Sequence, residues 1–314
     1  DRVTPTSFGT QDPGLKLDLE AKVGGVVYNT TGKPLRSEQL KDLLPGVHGM
    51  IAGLDEIDAR ALAAADQLKV IARYGVGYNN DHLKAAADRS IVVTNTPAAN
   101  APAVAELTVA LILNMLRPVL PAARETKSGN WPRYKGFSLE GKVVGLLGLG
   151  AIGKETAKRL VGFGCRIMAY DIYPDEKFAA EYGIQLSILD EILPIADVIS
   201  LHLPGNKETQ QIVNDEFLQR MKDGAWLVNT ARGDLIDERA LLTALNKGKL
   251  RGAALDVFSQ EPPNPKNPLL ELDQVIATPH MGAHADSATN AMGRIALDEC
   301  LAVLSGNSAK YQVN

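Results

Sequence analysis

The first hundred residues alternate short apolar runs with stretches in which apolar residues recur at helical spacing. The apolar runs, which predict strands, are 25–28, 49–51, 70–73 and 91–94. The stretches that predict helices are 37–44, 59–65 and 82–89. Because strands that alternate with helices usually form a parallel sheet covered by helices, this region predicts an α/β domain.

A second, more regular alternation begins at Lys142. The apolar runs that predict its strands are 143–147, 166–170, 198–201, 225–229, 252–256 and 275–277. Pro97 and Pro102 mark a break between the two regions, and predicted helices follow at 101–116 and 119–128. A last helix is predicted at 287–305. We therefore expect a second α/β domain with five or six buried parallel strands.

Length and composition agree with two soluble domains. A chain of 314 residues is too long for one ordinary core. Its net charge of −4 argues against nucleic acid or an anionic membrane as the main partner. The two cysteines, Cys165 and Cys300, have no metal-ligand spacing, so we expect no metal site and a reducing, cytoplasmic location. No apolar run approaches the ~20 residues that a membrane-spanning helix needs.

The strongest local motif is the segment GLGAIG at 148–153, which follows a predicted strand and opens a predicted helix. Gly148 permits a tight turn, Gly150 lets a pyrophosphate approach the backbone, and Gly153 lets the helix pack close to the strand. Asp171 ends the next predicted strand, where a carboxylate accepts hydrogen bonds from ribose hydroxyls and repels a 2′-phosphate. The motif and its context predict a dinucleotide site that prefers NAD to NADP.

Chemically capable residues follow three later strands. Arg232, Glu261 and His280 each lie at or just after a predicted strand end, and so does Asp256. Ligands of open α/β sheets bind beyond the carboxyl ends of the strands, so these side chains are expected to converge. An imidazole exchanges a proton at neutral pH, a neighbouring carboxylate orients it, and a guanidinium grips a carboxylate. Each residue alone fits a surface or loop position; their joint placement behind a dinucleotide motif favours a catalytic set.

These motifs resemble the D-isomer-specific 2-hydroxyacid dehydrogenase family, and especially its phosphoglycerate dehydrogenase-like members. The resemblance covers nearly the whole chain. The segments that carry it are 73–80 (RYGVGYNN), 95–97 (NTP), 105–108 (AELT), 148–153, 229–233 (NTARG), 254–258 (ALDVF) with Glu261-Pro262, and 278–280 (TPH). The family implies two Rossmann-like, doubly wound domains and a homodimer built through the helix after Asn100. Residues 1–97 with 287–314 would bind substrate, and 98–286 would bind NAD and contain the dimer helix.

The resemblance also implies roles for individual residues. His280 would be the acid/base, Glu261 its partner and Arg232 the anchor of the substrate carboxylate. The residues implied to contact NAD besides Gly148, Gly150, Gly153 and Arg232 are Val104, Ala151, Ile152, Asp171, Leu203, Thr230, Asp256 and Gly282. Among them, Asp256 would bind the nicotinamide carboxamide. The substrate loop would be Arg73, Tyr74, Gly75, Val76 and Gly77, with Arg232 and His280 completing the site.

Two departures leave the substrate open. Ala52 stands where long phosphoglycerate dehydrogenases carry a basic residue, and Tyr74 is bulkier than the usual residue there. Arg133 and Lys135 are either substitutes for the missing charge or solvated loop residues. The alternatives are therefore 3-phosphoglycerate oxidation, reduction or oxidation of another small acid (glycerate, hydroxypyruvate, glyoxylate or sulfolactate), and an NAD-sensing protein like the corepressors of this fold.

Overall fold

The computed structural model describes residues 2–5, 13–77 and 83–314. The chain divides into two compact units, the first made of residues 1–100 with 283–314 and the second of residues 101–282. Both are α/β units with parallel sheets, so the expected fold class is confirmed. Residues 78–80 of the family motif and His82, the predicted start of one helix, lie outside the described residues.

The first unit is a five-stranded parallel sheet of order β2-β1-β3-β4-β5. Its strands are β1 (Arg2–Pro5), β2 (Gly25–Val26), β3 (Gly49–Ala52), β4 (Val70–Arg73) and β5 (Val92–Thr94). The helices between them are α1 (Pro13–Lys22), α2 (Ser37–Leu43), α3 (Ala59–Ala63) and α4 (Leu83–Ala87). Strand β2 is shorter than the predicted strand 25–28, and the sequence pattern did not predict β1 or α1.

The second unit begins with α5 (Ala101–Leu116) and α6 (Val119–Lys127). Its strands are β6 (Val143–Leu147), β7 (Arg166–Tyr170), β8 (Gln185–Leu186), β9 (Val198–Leu201), β10 (Ala225–Asn229), β11 (Leu250–Leu255) and β12 (Val275–Ala277). The remaining helices are α7 (Ala151–Val161), α8 (Glu176–Tyr182), α9 (Leu189–Ile192), α10 (Asp215–Arg220) and α11 (Glu238–Asn246). The last helix, α12 (Asp286–Leu304), belongs to the first unit.

The sheet of the second unit has the order β12-β11-β10-β9-β6-β7-β8 and is parallel throughout. It has seven strands rather than the expected five or six, because the two-residue edge strand β8 extends it. The chain order reverses between β6 and β9, and a doubly wound sheet opens a crevice for ligands at such a point. Apolar clusters cover both faces of this sheet.

The first unit buries its own core. One cluster gathers side chains from α2, α3 and the sheet, among them Leu40, Leu62 and Ile71. In a second cluster, Leu297 and Cys300 of α12 pack with Val3 and Leu19. Within the described residues no single helix is long and apolar enough to cross a membrane; α5 and α6 meet that criterion only as a pair bent by 67°.

Candidate active site

The turn between β6 and α7 has the geometry that the glycine motif predicts. Gly148 has φ +104°, and a Cβ there would lie 2.5 Å from the carbonyl oxygen of His202. A Cβ at Gly153 would lie 2.1 Å from the carbonyl oxygen of Gly148, so only glycine lets helix and strand approach this closely. Gly150 differs, because a Cβ on it would meet no atom of the described residues within 4 Å. Open space therefore lies in front of Gly150 and the N-terminus of α7.

That open space suits a pyrophosphate. The first N–H groups of an α-helix have no acceptor within the helix, so those of Ala151 and Ile152 are available to a ligand. Leu203 lies next to the turn, since its backbone nitrogen would be 3.2 Å from a Cβ on Gly148. The residues present thus fit a dinucleotide phosphate, as the sequence predicts.

Asp171 directly follows β7 and braces the same turn. Its Oδ2 accepts the N–H of Leu149 at 2.6 Å, and its Oδ1 accepts the N–H of Tyr173 at 2.8 Å. An ionised carboxylate has about four acceptor positions, so two remain for ribose hydroxyls. The structure thereby adds a role that the sequence did not suggest, because Asp171 also holds the glycine turn in place.

His280 and Glu261 form a direct pair. The Nδ1 atom of His280 lies 2.6 Å from Oε2 of Glu261, and Oε1 of Glu261 accepts the N–H of Phe258 at 3.1 Å. Burial alone would raise the pKa of Glu261, but the hydrogen bond and charge of His280, the Phe258 N–H and the charge of Arg232 together lower it. Glu261 is therefore ionised at neutral pH. Within the described part of the chain, Nε2 of His280 has no hydrogen-bond partner and is available to a substrate.

Arg232 follows β10 and is held mostly below the surface. Its Nη1 donates to the carbonyl oxygen of Ala231 at 2.7 Å, and its other N–H groups have no partner in the described part of the chain and are available to a ligand. Burial lowers the pKa of Arg232, while the charges of Asp234 and Glu261 act in the opposite direction. A guanidinium remains protonated in proteins, so this is a partly buried cation suited to a carboxylate.

The remaining predicted cofactor residues of the second unit cluster around α5 and the strand ends. A Cβ on Gly282 would contact Asp256 at 3.2 Å and Val104 at 3.4 Å. The Oγ1 atoms of Thr230 and Thr108 are 2.8 Å apart in a buried hydrogen bond. Thr108 had no predicted role, although it belongs to the 105–108 segment; its helical spacing from Val104 was the available signal.

Asp256 has surroundings that the sequence did not predict. Its side chain is almost fully buried, and its Oδ1 accepts the hydroxyl of Thr278 at 2.6 Å and the N–H of Met281 at 2.9 Å. Its Oδ2 accepts the N–H of Gly282 at 2.9 Å. The carboxylate therefore faces the segment that carries His280. Thr278 was part of the TPH motif, but nothing in the sequence showed which way its hydroxyl points.

The predicted substrate loop 73–77 lies in the first unit and is firmly held there. Gly75 and Val76 have their carbonyl oxygens bound by the Thr96 N–H (3.1 Å) and the Asn95 side chain (2.9 Å). The hydroxyl of Tyr74 donates to the carbonyl oxygen of Thr289 at 2.7 Å, and its ring packs with the apolar layer beneath α12. The bulk that distinguishes Tyr74 is thus used in the core of this unit.

Ala52 is fully buried in β3. Arg133 and Lys135 are exposed in the second unit, in the same loop as Trp131, which is 82% exposed. Among the described residues, no three His, Cys, Asp or Glu side chains come together in a way that could hold a metal ion.

A doubly wound sheet with a glycine phosphate cradle defines a dinucleotide-binding unit. Residues 109–282 match the family model described as "D-isomer specific 2-hydroxyacid dehydrogenase, NAD binding domain", so NAD is the cofactor of this unit. Together with the relatives below, this match shows that the chain belongs to the D-isomer-specific 2-hydroxyacid dehydrogenase family.

The chain is 38% identical over 300 residues to D-3-phosphoglycerate dehydrogenase of Archaeoglobus fulgidus, covering 95% of this chain and 57% of that protein. It is also 38% identical over 312 residues to glyoxylate reductase of Thermofilum pendens, covering 96% and 91%. A solved protein from Thermus thermophilus is similar over 100% of both chains, with a TM-score of 0.89 and 37% identity. The chain spans about half the length of the curated phosphoglycerate dehydrogenases that it matches.

Proposed function

We propose that the chain is an NAD-dependent oxidoreductase that transfers a hydride between nicotinamide and C2 of a D-2-hydroxy acid or its 2-oxo acid. The observation that carries the proposal is the 2.6 Å pair of His280 and Glu261, with Nε2 unused, in the same unit as the cofactor cradle. Reduction of a 2-oxo acid needs one hydride at carbon and one proton at oxygen. NADH would supply the hydride when bound, and His280 donates the proton from Nε2.

The other two residues prepare that proton transfer. The ionised carboxylate of Glu261 fixes the ring orientation and stabilises the imidazolium that must donate the proton. The guanidinium of Arg232 pairs with the substrate carboxylate and polarises the adjacent carbonyl group. In the opposite direction, the neutral imidazole accepts the proton of the 2-hydroxyl, and oxidised NAD would accept the hydride from C2.

We further propose that different parts of the chain bind NAD and substrate. Residues 98–286 would bind NAD, and residues 1–97 with 287–314 would bind substrate, with backbone N–H groups near Val76 and Gly77 cradling its carboxylate. Support comes from the fixed carbonyl groups of this loop, which restrict how its peptide units can turn.

A cytoplasmic homodimer is part of the same proposal. The half-exposed Val119 and Leu120 of α6 support it, and light scattering would measure its mass.

Phosphoglycerate dehydrogenase-like substrates are the first candidates, since the chain is similar to several curated proteins of that name. A small unphosphorylated 2-oxo acid is the second candidate, and two observations favour it. Buried Ala52 offers no cation to a phosphate, and the glyoxylate reductase relative matches along nearly its full length.

The test is a panel of 2-oxo acids with NADH, comprising phosphohydroxypyruvate, hydroxypyruvate, glyoxylate, pyruvate and sulfopyruvate. Wild-type protein should oxidise NADH with at least one of them. His280→Gln should lower kcat by about a thousandfold while NADH binding, followed by fluorescence, is retained. His48→Gln is the control, because the His48 side chain accepts a hydrogen bond from the backbone N–H of Arg2 in the first unit and is not part of the proposed catalytic set. NADH binding without turnover of any acid would contradict the enzyme proposal and favour an NAD-sensing protein.

A further inference from the structure

Asp256 is the centre of the hydrogen bonds that hold residues 278–282. Three donors reach its carboxylate: the Thr278 hydroxyl at 2.6 Å, the Met281 N–H at 2.9 Å and the Gly282 N–H at 2.9 Å. The carbonyl oxygen of Asp256 also accepts the N–H of His280 at 2.8 Å. Asp256 thus forms hydrogen bonds with the residues before and after His280 as well as with the backbone of His280 itself.

This segment needs such support because His280 has an unusual backbone. Its φ of +50° lies in the left-handed region, which non-glycine residues adopt only when their surroundings enforce it. The same conformation brings Nδ1 of His280 to Glu261. If the segment relaxed toward a negative φ, the direction of the imidazole would change and the contact with Glu261 would be lost.

The carboxylate of Asp256 has little capacity left for a ligand. Three of its roughly four acceptor positions are occupied, and the residue is 1% exposed. We infer that Asp256, together with Thr278, is a positioning residue that clamps the His280 segment; the one acceptor position left on its carboxylate is kept for the cofactor contact that the resemblance implies. This inference rests on the proposed function only for its kinetic consequences; the clamp itself belongs to the protein without NADH.

Two substitutions separate the clamp from a cofactor contact. Asp256→Asn keeps the shape but places an N–H donor group against backbone N–H or hydroxyl donors, so at least one contact must break. Thr278→Val removes only one hydroxyl and is the milder variant, in case Asp256→Asn folds poorly. Thr278→Ser keeps that hydroxyl and is the matched control.

The first measurement is amide hydrogen exchange in the protein without NADH. Exchange at Met281 or Gly282 should accelerate by about tenfold or more in Asp256→Asn, and less in Thr278→Val, because the acceptor is lost or misplaced. Thr278→Ser should leave it unchanged. Wild-type protection of both amides in Asp256→Asn and in Thr278→Val would overturn the clamp, even if the protein had no turnover with any acid.

The second measurement is kinetic, at saturating NADH and the best acid of the panel. We expect kcat to fall about thirtyfold in Asp256→Asn and about fivefold in Thr278→Val, with Thr278→Ser near wild type and the Kd for NADH changed less than about threefold. The primary isotope effect with 4-deuterated NADH should rise, because hydride transfer becomes slower than the other steps. A variant that only folds less well would lose active protein and keep the wild-type isotope effect. A kcat of Asp256→Asn within about threefold of wild type would overturn the positioning role, whatever its NADH affinity.

Discussion

The carboxylate of Asp171 both braces the glycine turn and carries the negative charge that is expected to select NAD. Asp171→Asn removes that charge and keeps one acceptor for the backbone. We predict that the ratio of kcat/KM for NADPH to that for NADH rises by about tenfold or more, because the repulsion of the 2′-phosphate is gone. Steady-state kinetics with both cofactors measures the ratio. An unchanged ratio in a folded variant would remove the ribose role from Asp171.

For individual residues, the sequence predicted which residues form the site but not how their side chains are oriented or which partners they contact. Arg232, Glu261 and His280 follow strand ends in recognisable motifs, so the sequence identifies them. The contact of His280 with Glu261 joins positions 19 residues apart with strand β12 between them, so tertiary packing decides the distance between the two side chains. The partners of Asp256 and the contact of Thr108 with Thr230 were likewise inaccessible to pattern alone.

At the scale of elements, the N-terminus of α7 offers a matched pair of substitutions. The free energy of unfolding of Gly150→Ala should lie within about 0.5 kcal/mol of the wild-type value, because the added Cβ would enter open space at a φ of −71°. It should nevertheless weaken NADH binding about tenfold or more, since the methyl group occupies the approach of the pyrophosphate. Fluorescence titration measures the Kd, and a wild-type value would mean that the pyrophosphate does not pass this glycine.

Gly153→Ala should behave in the opposite way. Its Cβ would lie 2.1 Å from a backbone oxygen that cannot rotate away, so α7 must move from β6. We expect a loss of about 2–3 kcal/mol in the free energy of unfolding, measured with urea. A Gly153→Ala protein as stable as Gly150→Ala would show that the helix does not need this close approach.

Element prediction succeeded where the pattern was long and failed where it was short or misleading. The segment 15–19 alternates Leu with charged residues, which is typical of a strand, yet it lies in α1 with Leu15 and Leu19 buried and Leu17 66% exposed. Helical spacing of two of the three leucines decides the structure. Strand β8 has only two residues and no apolar run to mark it.

The acid response of the folded chain follows from groups with depressed pKa values. Burial lowers the pKa of His202 from 6.5 to about 4, and its buried Nδ1 has no partner among the described residues. Between these pH values His202 binds a proton in the unfolded chain but not in the folded chain, so the free energy of unfolding falls as pH falls. Glu261 adds a further loss below its ordinary pKa, because its folded pKa is also lowered.

We therefore predict that wild-type protein loses about 2 kcal/mol of stability through His202 between pH 7.5 and pH 5. Urea unfolding at both pH values, followed by fluorescence of buried Trp226, measures the loss. In His202→Gln the pH-dependent part should shrink by that amount. Equal pH dependence in both proteins would show that His202 is not the group responsible.

The sequence by itself determined the class of both units, the phosphate cradle and the set of acid, base and guanidinium groups. These features are local, since a turn, a helix start or a strand end is encoded within a few neighbouring residues. Only the tertiary structure decided that Asp256 faces the His280 segment and that Tyr74 packs into its own unit's core. Such directions depend on side chains that are distant in sequence, because each rotamer is selected by the space and the hydrogen-bond partners that the folded neighbours provide.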